Sequence, residues 1–462
     1  MAIRRCERAR DNAQEHTYSR TVTTTSATER SGPSLRIEGF AITHFRTFNS
    51  RTVIPFRSSK TAMPDEIATF HGDNGSGKSN ALTALDVFFE ALIRYLRSDN
   101  SETGKDLPED WPAEGRKYNE GMLSFRDRPT GVDGPTDLEA RFSDERLGTL
   151  RVRFIPAGRR VHLRVDRAQP ASSGSGEWFF APVHGDERSQ LLTWIETPYG
   201  PRSSAYGLVD SHRVSSPKSI ATTSRSLDDV LAEELFALRT SLLPQDRVRW
   251  RGFTELLQRF STFRNKELSI DRLTAEGRPV LTLEERGRSV LSLGELSSGE
   301  QQLVRLCAST VLSKSSILAI EEPELSLDTT NQHLLKKILH EQIKSGLRDQ
   351  VIIESHVPTF DDGPSVIRFT RGSSGETVVS RAPATDDAKQ RELEDQARSQ
   401  GANARWVTPD GYTQLPTIMR DDLRLATGGH LWFLKGQRAW EAWPEEQLTE
   451  LFADPEAKKE DE

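Results

Sequence analysis

IATFHGDNGSGKSN, residues 67–80, decides the fold of this chain of 462 residues. Its apolar start (67–70) predicts a buried strand, and the apolar-rich segment that follows (81–96) predicts a helix. Between strand and helix, residues 72–79 fit the pattern G-x-x-x-x-G-K-[ST] at every position. Glycines allow backbone N–H groups to turn inward around an anion, and the helix N-terminus adds the positive end of its dipole. The stretch therefore predicts a phosphate-binding loop in an α/β fold.

The side chains of this loop predict ATP and Mg²⁺ as its ligands. Lys78 is expected to contact the β- and γ-phosphates, and the Ser79 hydroxyl is expected to bind Mg²⁺. The alternative is a glycine-rich turn without a ligand, which the flanking strand and helix disfavour. The other loop residues predicted to bind the nucleotide are Gly72, Asn74, Gly75, Ser76 and Gly77.

A second apolar run, ILAIEEPE (317–324), ends in adjacent acids. In a doubly wound sheet, ligands bind outside the carboxyl ends of the strands. Glu321 is predicted to hold Mg²⁺ through water, and Glu322 is predicted to polarise the water that attacks the phosphate. Taken alone, the segment is also compatible with a solvated acidic turn.

QVIIESHVP (350–358) repeats this pattern, because His356 follows a third apolar run. A single histidine is usually structural or exposed. Here it follows a strand of a nucleotide-binding sheet, so the sequence predicts a contact between His356 and the γ-phosphate. We count Lys78, Glu322 and His356 as the predicted catalytic residues.

LSSGEQQ (296–302) precedes an apolar-periodic stretch and has the small, polar, glycine-bearing character of a helix N-terminus that binds an anion. Ser297 and the Gly299 N–H are suitable donors for such a charge. The spacing from Ser297 to Glu300 also fits a capping box, so an ordinary capped helix is the alternative.

In this order the motifs resemble the ABC-type ATPases of the RecF/SMC/OLD group. FRTF (45–48) resembles the F-[RK]-x-[FY] element of the group, LSSGEQQ the ABC signature, residues 317–328 the Walker B strand and D-loop, and His356 the switch histidine. The resemblance spans about residues 34–383. It implies an ABC-type head with a mixed sheet, an N-terminal antiparallel part and an inserted helical lid at about 188–265.

The resemblance also implies that two heads enclose two ATP molecules. Signature residues of one copy would contact the ATP held by the P-loop of the other copy. Further residues that it implies in nucleotide binding are Asn80, Ser297, Ser298, Gly299, Glu300 and Asp328.

Three departures from the group are visible. Glu321 replaces the usual aspartate, and no glutamine stands between Ser79 and Arg141 to serve as the Q-loop residue. The interval 80–291 predicts only short helices instead of a long coiled coil. No nuclease-like cluster follows His356, so a nuclease or toxin partner would have to supply any cleavage.

Residues 404–452 resemble the swapped-hairpin fold of AbrB and MazE. The pattern predicts a strand, a short helix after Pro416 and a hairpin that turns at 435–437. The resemblance implies an interlocked dimer, with Arg405, Arg420 and Arg424 at positions suited to DNA. Since the module carries more acids than bases, dimerisation is favoured over DNA binding; an unrelated β-rich cap is the alternative.

The remaining pattern predicts an antiparallel hairpin over 35–56, strands at 136–142, 148–157 and 160–167, and a Ser/Gly loop at 169–187. Helices are predicted at 226–242 and 250–263, followed by strands at 280–285 and 289–293 and a hairpin at 365–382. Residues 1–33 are predicted to be a disordered leader, 384–403 a linker and 453–462 a disordered acidic tail.

Composition limits the class of protein. Hydrophobic residues make up 35% and charged residues 28%, and the net charge is −7, so the overall charge does not favour nucleic acid. Cys6 and Cys307 are the two cysteines and give no disulfide framework. Together with the lack of a long apolar run, this predicts a cytoplasmic protein without a membrane span.

The sequence thus predicts an ATP-hydrolysing ABC-type switch protein that forms homodimers. The resemblance implies a sensor or regulatory subunit in bacterial antiphage defence or DNA maintenance. A DNA-binding regulator and a RecF-like repair ATPase stay open as alternative hypotheses.

Overall fold

The computed structural model describes residues 34–58, 62–97, 105–106, 135–157, 160–170, 178–196, 205–210, 227–273, 277–285, 290–313, 315–325, 327–360, 365–381, 415, 417–425, 431–435 and 440–444. The leader, linker and acidic tail predicted from the sequence lie outside these residues. In the described part of the chain, no helix combines the length and the apolarity needed to cross a bilayer.

The strands are β1 (Ile37–Thr43), β2 (Thr52–Pro55), β3 (Ile67–His71), β4 (Lys105–Asp106), β5 (Thr136–Phe142), β6 (Thr149–Ala157), β7 (Arg160–Pro170), β8 (Trp178–Pro182), β9 (Tyr206–Asp210), β10 (Lys266–Leu273), β11 (Pro279–Glu285), β12 (Val290–Ser292), β13 (Ile317–Glu321), β14 (Gln350–Ser355), β15 (Val366–Arg371), β16 (Thr377–Arg381), β17 (Leu431–Lys435) and β18 (Trp440–Pro444). The helices are α1 (Lys78–Arg97), α2 (Gly185–Glu196), α3 (Leu227–Thr240), α4 (Pro244–Gln258), α5 (Ser298–Leu312), α6 (Thr329–Lys344) and α7 (Thr417–Asp422).

The N-terminal strands form an antiparallel sheet in the order β2-β1-β5-β6-β7-β4, with β8 added to β7. Its strands alternate inward apolar and outward polar residues, as β5 shows: Leu138 and Ala140 are buried, while Asp137 faces Arg153 across the ladder at 2.7 Å. The antiparallel part expected from the sequence is therefore present.

The central sheet has the order β16-β15-β3-β14-β13-β9. Strands β15, β3, β14, β13 and β9 run parallel, and β16 pairs antiparallel with β15. One strand, β14, thus lies between the strand that leads into the phosphate loop and the strand that ends in acids. Because parallel strands end at the same edge, the motifs after β3, β13 and β14 are brought together.

Strands β3, β13 and β14 are buried on both faces of this sheet, which explains why they are rich in apolar residues. On one face, Ala319 and Ile352 pack in the core that holds α1 and the antiparallel sheet. On the other face, Leu318 and Ile353 pack in the core that holds α3 to α6. Helix α1 is therefore sandwiched between two sheets, and α5 lies on the opposite face of the central sheet.

The expected helical insertion (188–265) is wrong in its first part. Helix α2 packs in the core with α1, and Tyr206–Asp210 forms β9, the edge strand next to β13. A Cβ at Gly207 would lie 2.7 Å from the hydroxyls of Ser313 and Ser315, so the glycine marks a close backbone approach inside a strand and not a loop. Of the helices described in this interval, α3 and α4 pack in the core that also holds α5 and α6.

Two other local predictions are wrong. Residues 169–187 include strand β8 and the start of α2, although they were expected to be a loop. Between the helices and the signature, three strands form a sheet where two were expected. The additional strand is β10, and four of its eight residues are charged: Lys266, Glu267, Asp271 and Arg272. A hydrophobic pattern therefore does not predict it. It lies at the edge of its sheet, where charged residues are tolerated.

In the C-terminal module, α7 lies just after Pro416, and β17 and β18 form a hairpin in which Trp432 pairs with Trp443. The predicted short helix and hairpin are thus present. The strand predicted near Trp406 lies outside the described residues, and the swapped-hairpin resemblance stays a prediction.

Candidate active site

The loop between β3 and α1 is built on glycines in conformations that other residues rarely adopt. Gly77 has a φ of 106°, and a Cβ there would lie 2.1 Å from the Thr377 hydroxyl. Gly72 has a φ of 150°, and a Cβ there would lie 2.0 Å from the Phe369 carbonyl oxygen. The loop is therefore wedged against β15 and β16, and it is fixed in shape by residues about 300 positions away in sequence.

Lys78 is 3% exposed and folds back over the loop. Its Nζ donates to the carbonyl oxygens of Gly72 at 2.8 Å and Asp73 at 3.0 Å, and it lies 3.9 Å from a carboxylate oxygen of Glu354. Burial lowers the pKa of Lys78, and the Glu354 charge opposes this shift. The ammonium thus stands at the mouth of the loop, where phosphates are expected.

Glu354 was not among the residues selected from the sequence. It is 1% exposed, and its Oε1 accepts a hydrogen bond from the Ser79 hydroxyl at 2.8 Å. Burial raises the pKa of Glu354 to about 8, and the Ser79 hydrogen bond works in the opposite direction. A single acid directly after the apolar run VII (351–353) was the signal that could have identified it, because an isolated buried carboxylate is costly.

Glu321 and Glu322 separate at the end of β13. Glu321 is half-buried and lies in register with Glu354 on the neighbouring strand. Glu322 has a φ of 42°, a left-handed conformation that costs about 1–2 kcal/mol for a side chain with a Cβ. Its N–H donates to the Glu354 carbonyl oxygen at 3.0 Å, which holds the strained turn in place.

His356 pairs with Glu322. Its Nε2 lies 3.2 Å from Oε1 of Glu322, and both side chains are about one quarter exposed. An ionised carboxylate only accepts hydrogen bonds, so this pair requires the proton on Nε2. The two predicted catalytic side chains therefore meet at the edge of the sheet.

Glu324 is a second residue that sequence reasoning missed. Its Oε1 accepts from the Ser355 hydroxyl at 2.9 Å and from the His356 N–H at 2.6 Å. Burial raises the pKa of Glu324, against these hydrogen bonds. By fixing the backbone of His356, Glu324 sets the direction from which the imidazole approaches Glu322.

The same edge of the sheet offers ligands for a divalent cation. Ligand atoms of Glu322, Glu354 and His356 lie within 4.8 Å of one another. The Ser79 hydroxyl touches this group through Glu354. The carboxylate oxygens of this group and the Ser79 hydroxyl are the kind of ligand that Mg²⁺ prefers, so the residues present fit the cofactor that the phosphate loop implies.

The first turn of α1 is anchored to the FRTF element. Asn80 accepts from Arg46 Nη1 at 2.9 Å and donates to the Thr47 hydroxyl at 3.0 Å. The Thr47 hydroxyl in turn lies 2.7 Å from that of Thr377, which donates to the Ser76 carbonyl oxygen at 3.0 Å. The structure thus gives Asn80 an anchoring role, and its contact with a nucleotide stays a prediction.

The signature forms the capping box that the sequence allowed as an alternative. Ser297 is the N-cap of α5, and its hydroxyl donates to Glu300 Oε2 at 2.8 Å, while Glu300 also pairs with Lys266 of β10. These hydrogen bonds stay within α5 and β10. Ser298 is exposed at the first turn, where helical N–H groups have no intrahelical acceptor. A capped terminus and an anion-binding terminus are therefore compatible here.

Asp328 is the N-cap of α6. Its carboxylate accepts from the Asn331 N–H at 2.9 Å and from the Asn331 side chain at 2.8 Å. This explains the helix start, since an Asp cap is among the strongest. A role for Asp328 in nucleotide binding remains a prediction.

The phosphate loop, the acids after β13, the histidine after β14 and the strand order define a P-loop nucleotide-binding fold with a mostly parallel central sheet. The family model described as "AAA domain, putative AbiEii toxin, Type IV TA system" matches residues 67–362. This is more than half of the chain, so the protein belongs to that family. Comparison with curated proteins gave no match.

Similar solved structures include heads of SMC proteins. The SMC head domain from Thermotoga maritima has 16% identity and a TM-score of 0.38, with 75% of this chain and 99% of that chain covered. An SMC head bound to the C-terminal winged-helix domain of ScpA has 16% identity and a TM-score of 0.46, with 77% and 100% covered. An SMC head with an extended coiled coil, bound to the C-terminal domain of ScpA derived from Pyrococcus furiosus, has 14% identity and a TM-score of 0.43, with 79% and 100% covered.

Proposed function

We propose that this protein binds ATP with Mg²⁺ and hydrolyses it, and that ATP joins two copies of the head. The observation that carries the proposal is the position of the Glu322–His356 pair, joined at 3.2 Å, beside Glu354, which also contacts the buried Lys78 and the exposed Ser79 of the phosphate loop. The loop alone would support nucleotide binding. The paired acid and imidazole beside it add the groups that hydrolysis needs.

Each side chain has a distinct part in this proposal. Lys78 and the loop N–H groups hold the phosphates, and Ser79 and Glu321 hold Mg²⁺, which neutralises phosphate charge when bound. Glu322 orients the attacking water and accepts its proton. His356 holds the Glu322 carboxylate in place and contacts the γ-phosphate.

The placement of the signature supports action between copies. Helix α1, which the phosphate loop opens, packs in one core, whereas α5 packs in the core on the other face of the central sheet. Ser298 is exposed at the start of α5. We infer that Ser297, Ser298, Gly299 and Glu300 complete the ATP site of a second head.

Mixing two inactive variants tests this arrangement. Ser298→Arg should abolish turnover by placing bulk at the signature while leaving ATP binding intact, and Lys78→Ala should lose ATP binding. A mixed dimer contains one complete site, so random mixing should restore about a quarter of the wild-type turnover. The measurement is phosphate release as a function of mixing ratio. Ser50→Arg, at an exposed turn, is the matched control and should behave as wild type.

No recovery on mixing, with full activity in the control, would contradict the assembly between copies and leave the single-head ATPase intact. Wild-type turnover in Ser298→Arg alone would exclude a signature role for this turn.

The C-terminal hairpin supports a second contact between copies. Trp432 is 52% exposed and its neighbour Phe433 is 63% exposed. Successive residues of a strand point to opposite faces, so both faces of this two-stranded sheet carry an exposed aromatic side chain. A two-stranded sheet of this kind is barely stable alone, and pairing with the same module of another copy would bury it.

Removal of residues 404–462 is expected to convert the nucleotide-free protein from dimer to monomer without lowering ATP affinity. Analytical ultracentrifugation without nucleotide measures the first effect and a fluorescent ATP titration the second. If the truncated chain instead stays dimeric and loses DNA binding with its ATPase retained, the alternative of a DNA-binding regulator is favoured over a dimerisation tail.

The setting that we propose is a sensor or regulatory subunit of bacterial antiphage defence or DNA maintenance. The family to which the chain belongs is described by a putative toxin of a Type IV toxin–antitoxin system, and this supports the defence setting. A nuclease or toxin partner would then be the effector, and ATP-dependent pairing of heads would be the state that it senses.

A further inference from the structure

Glu354 has a position that neither the fold nor the proposed roles of its neighbours explain. It lies on β14, the strand between β3 and β13, and is 1% exposed. Its Oε1 is hydrogen-bonded to Ser79, but among the described residues its Oε2 has no hydrogen-bond partner. A buried carboxylate with an unpartnered oxygen is costly unless a cation or proton compensates it.

The nearby charges make this cost larger. Glu321 lies directly beside Glu354 in the strand register, and Glu322 contacts its carbonyl oxygen. Both acids raise the pKa of Glu354 further. Lys78 Nζ lies 3.9 Å from Glu354, and it already donates hydrogen bonds to two loop carbonyl oxygens. The cluster therefore has more negative than positive charge.

The spacing between Glu354 and Ser79 matches a shared metal ligand set. Mg²⁺ binds its oxygen ligands at 2.0–2.1 Å in an octahedron, which places neighbouring ligand atoms about 2.9 Å apart. The Ser79 hydroxyl and Glu354 Oε1 are 2.8 Å apart. Two side chains on separate elements, α1 and β14, thus already hold the separation of adjacent ligands.

We propose that Glu354 is a direct protein ligand of the Mg²⁺ ion that accompanies ATP, next to Ser79. The inference rests on the proposed ATP site and names a metal ligand within it. It also accounts for the sequence between Ser79 and Arg141, where no glutamine is available to bind the metal from the other side. Glu321, half-buried at the strand end, then reaches the ion through water.

The test compares nucleotide affinity with and without the metal in the full-length protein. A fluorescent ATP analogue is titrated in excess Mg²⁺ and in excess EDTA. The Kd measured in EDTA divided by the Kd measured in Mg²⁺ reports how much the metal contributes to affinity. In Glu354→Gln this ratio is expected to fall by roughly 10–100-fold, the range seen when groups that support a metal are removed. The affinity in EDTA should stay the same or increase, since a negative charge near the phosphates is lost. Mn²⁺ retention in the ternary complex, followed by electron paramagnetic resonance, should fall in parallel.

Glu255→Gln is the control, because it makes the same chemical change on the exposed face of α4, outside the cluster. It should keep the wild-type Kd ratio. A purely structural role for Glu354 would weaken binding equally in Mg²⁺ and in EDTA, and an unchanged ratio in Glu354→Gln would overturn the proposal. If Glu354→Gln does not fold, Glu354→Asp serves instead: it keeps the charge but withdraws it by one methylene, and a wild-type ratio there would also overturn the assignment.

The design separates this inference from the proposed function. Absence of nucleotide binding by the wild-type protein in both conditions would contradict the proposed ATP site itself. Metal-dependent binding by the wild type, with an unchanged Kd ratio in Glu354→Gln, would contradict only the assignment of Glu354 as a Mg²⁺ ligand.

Discussion

Replacement of Glu322 by glutamine is expected to lower ATP turnover by roughly 10²–10⁴-fold, the usual contribution of a positioned general base. ATP binding should be retained, because the phosphates are held by the loop and by Lys78. The amide has nearly the same shape as the carboxylate, so the strained turn at Glu322, with a φ of 42°, is preserved. The protein should then accumulate as an ATP-bound dimer of heads.

Two measurements decide this prediction. Phosphate release under saturating ATP gives the turnover, and sedimentation with ATP gives the fraction of dimer. Glu255→Gln, on the exposed face of α4, is the control and should change neither. Wild-type turnover in Glu322→Gln would show that another group activates the water, and the Glu322–His356 pair would then be structural.

Lys78→Ala is expected to weaken ATP binding by roughly 100-fold or more. Hydrogen bonds to charged groups contribute about 1.5–3 kcal/mol each, and this ammonium is expected to make two, to the β- and γ-phosphates. Lys78 is 3% exposed and its ammonium lies at the mouth of the loop, where the phosphates are expected.

Calorimetric titration with ATP and Mg²⁺ measures this effect. Lys337→Ala, an exposed lysine of α6, is the matched control and should bind ATP as the wild type does. Thermal unfolding of both variants separates lost affinity from lost fold, since Lys78 also lies near the buried Glu354. Undiminished affinity in a folded Lys78→Ala protein would contradict the assignment of the phosphate loop.

The phosphate loop and its surroundings could be predicted because local rules are sufficient there. The apolar run before Gly72 and the helix from Lys78 follow from periodicity, and the glycine spacing reports a backbone shape. The ends of β13 and β14 could be predicted in the same way, because each is an apolar run followed by polar residues. The meeting of Glu322 and His356 then follows from parallel strands that end at one edge.

The parts that could not be predicted depend on partners distant in sequence. Strand β9 contains a glycine that suggests a turn, and only the contact of Gly207 with Ser313 and Ser315 explains it. Glu354 and Glu324 look like a strand residue and a loop residue until their contacts with Ser79 and His356 are known. Strand β10 forms because it pairs with β11, and its place at the edge of that sheet tolerates charges that obscure its hydrophobic pattern.

The seating of the phosphate loop on β16 has a consequence for how the protein is made. Thr377 contacts Gly77, Thr47 and the Ser76 carbonyl, so three segments separated by up to 330 residues must meet before the loop has its shape. The N-terminus of a chain emerges from the ribosome first. Contacts between residues that are far apart in sequence therefore form late. The phosphate loop of the nascent chain is therefore synthesised long before β16, against which it packs. The loop can bind its ligand only when nearly the whole head has been synthesised.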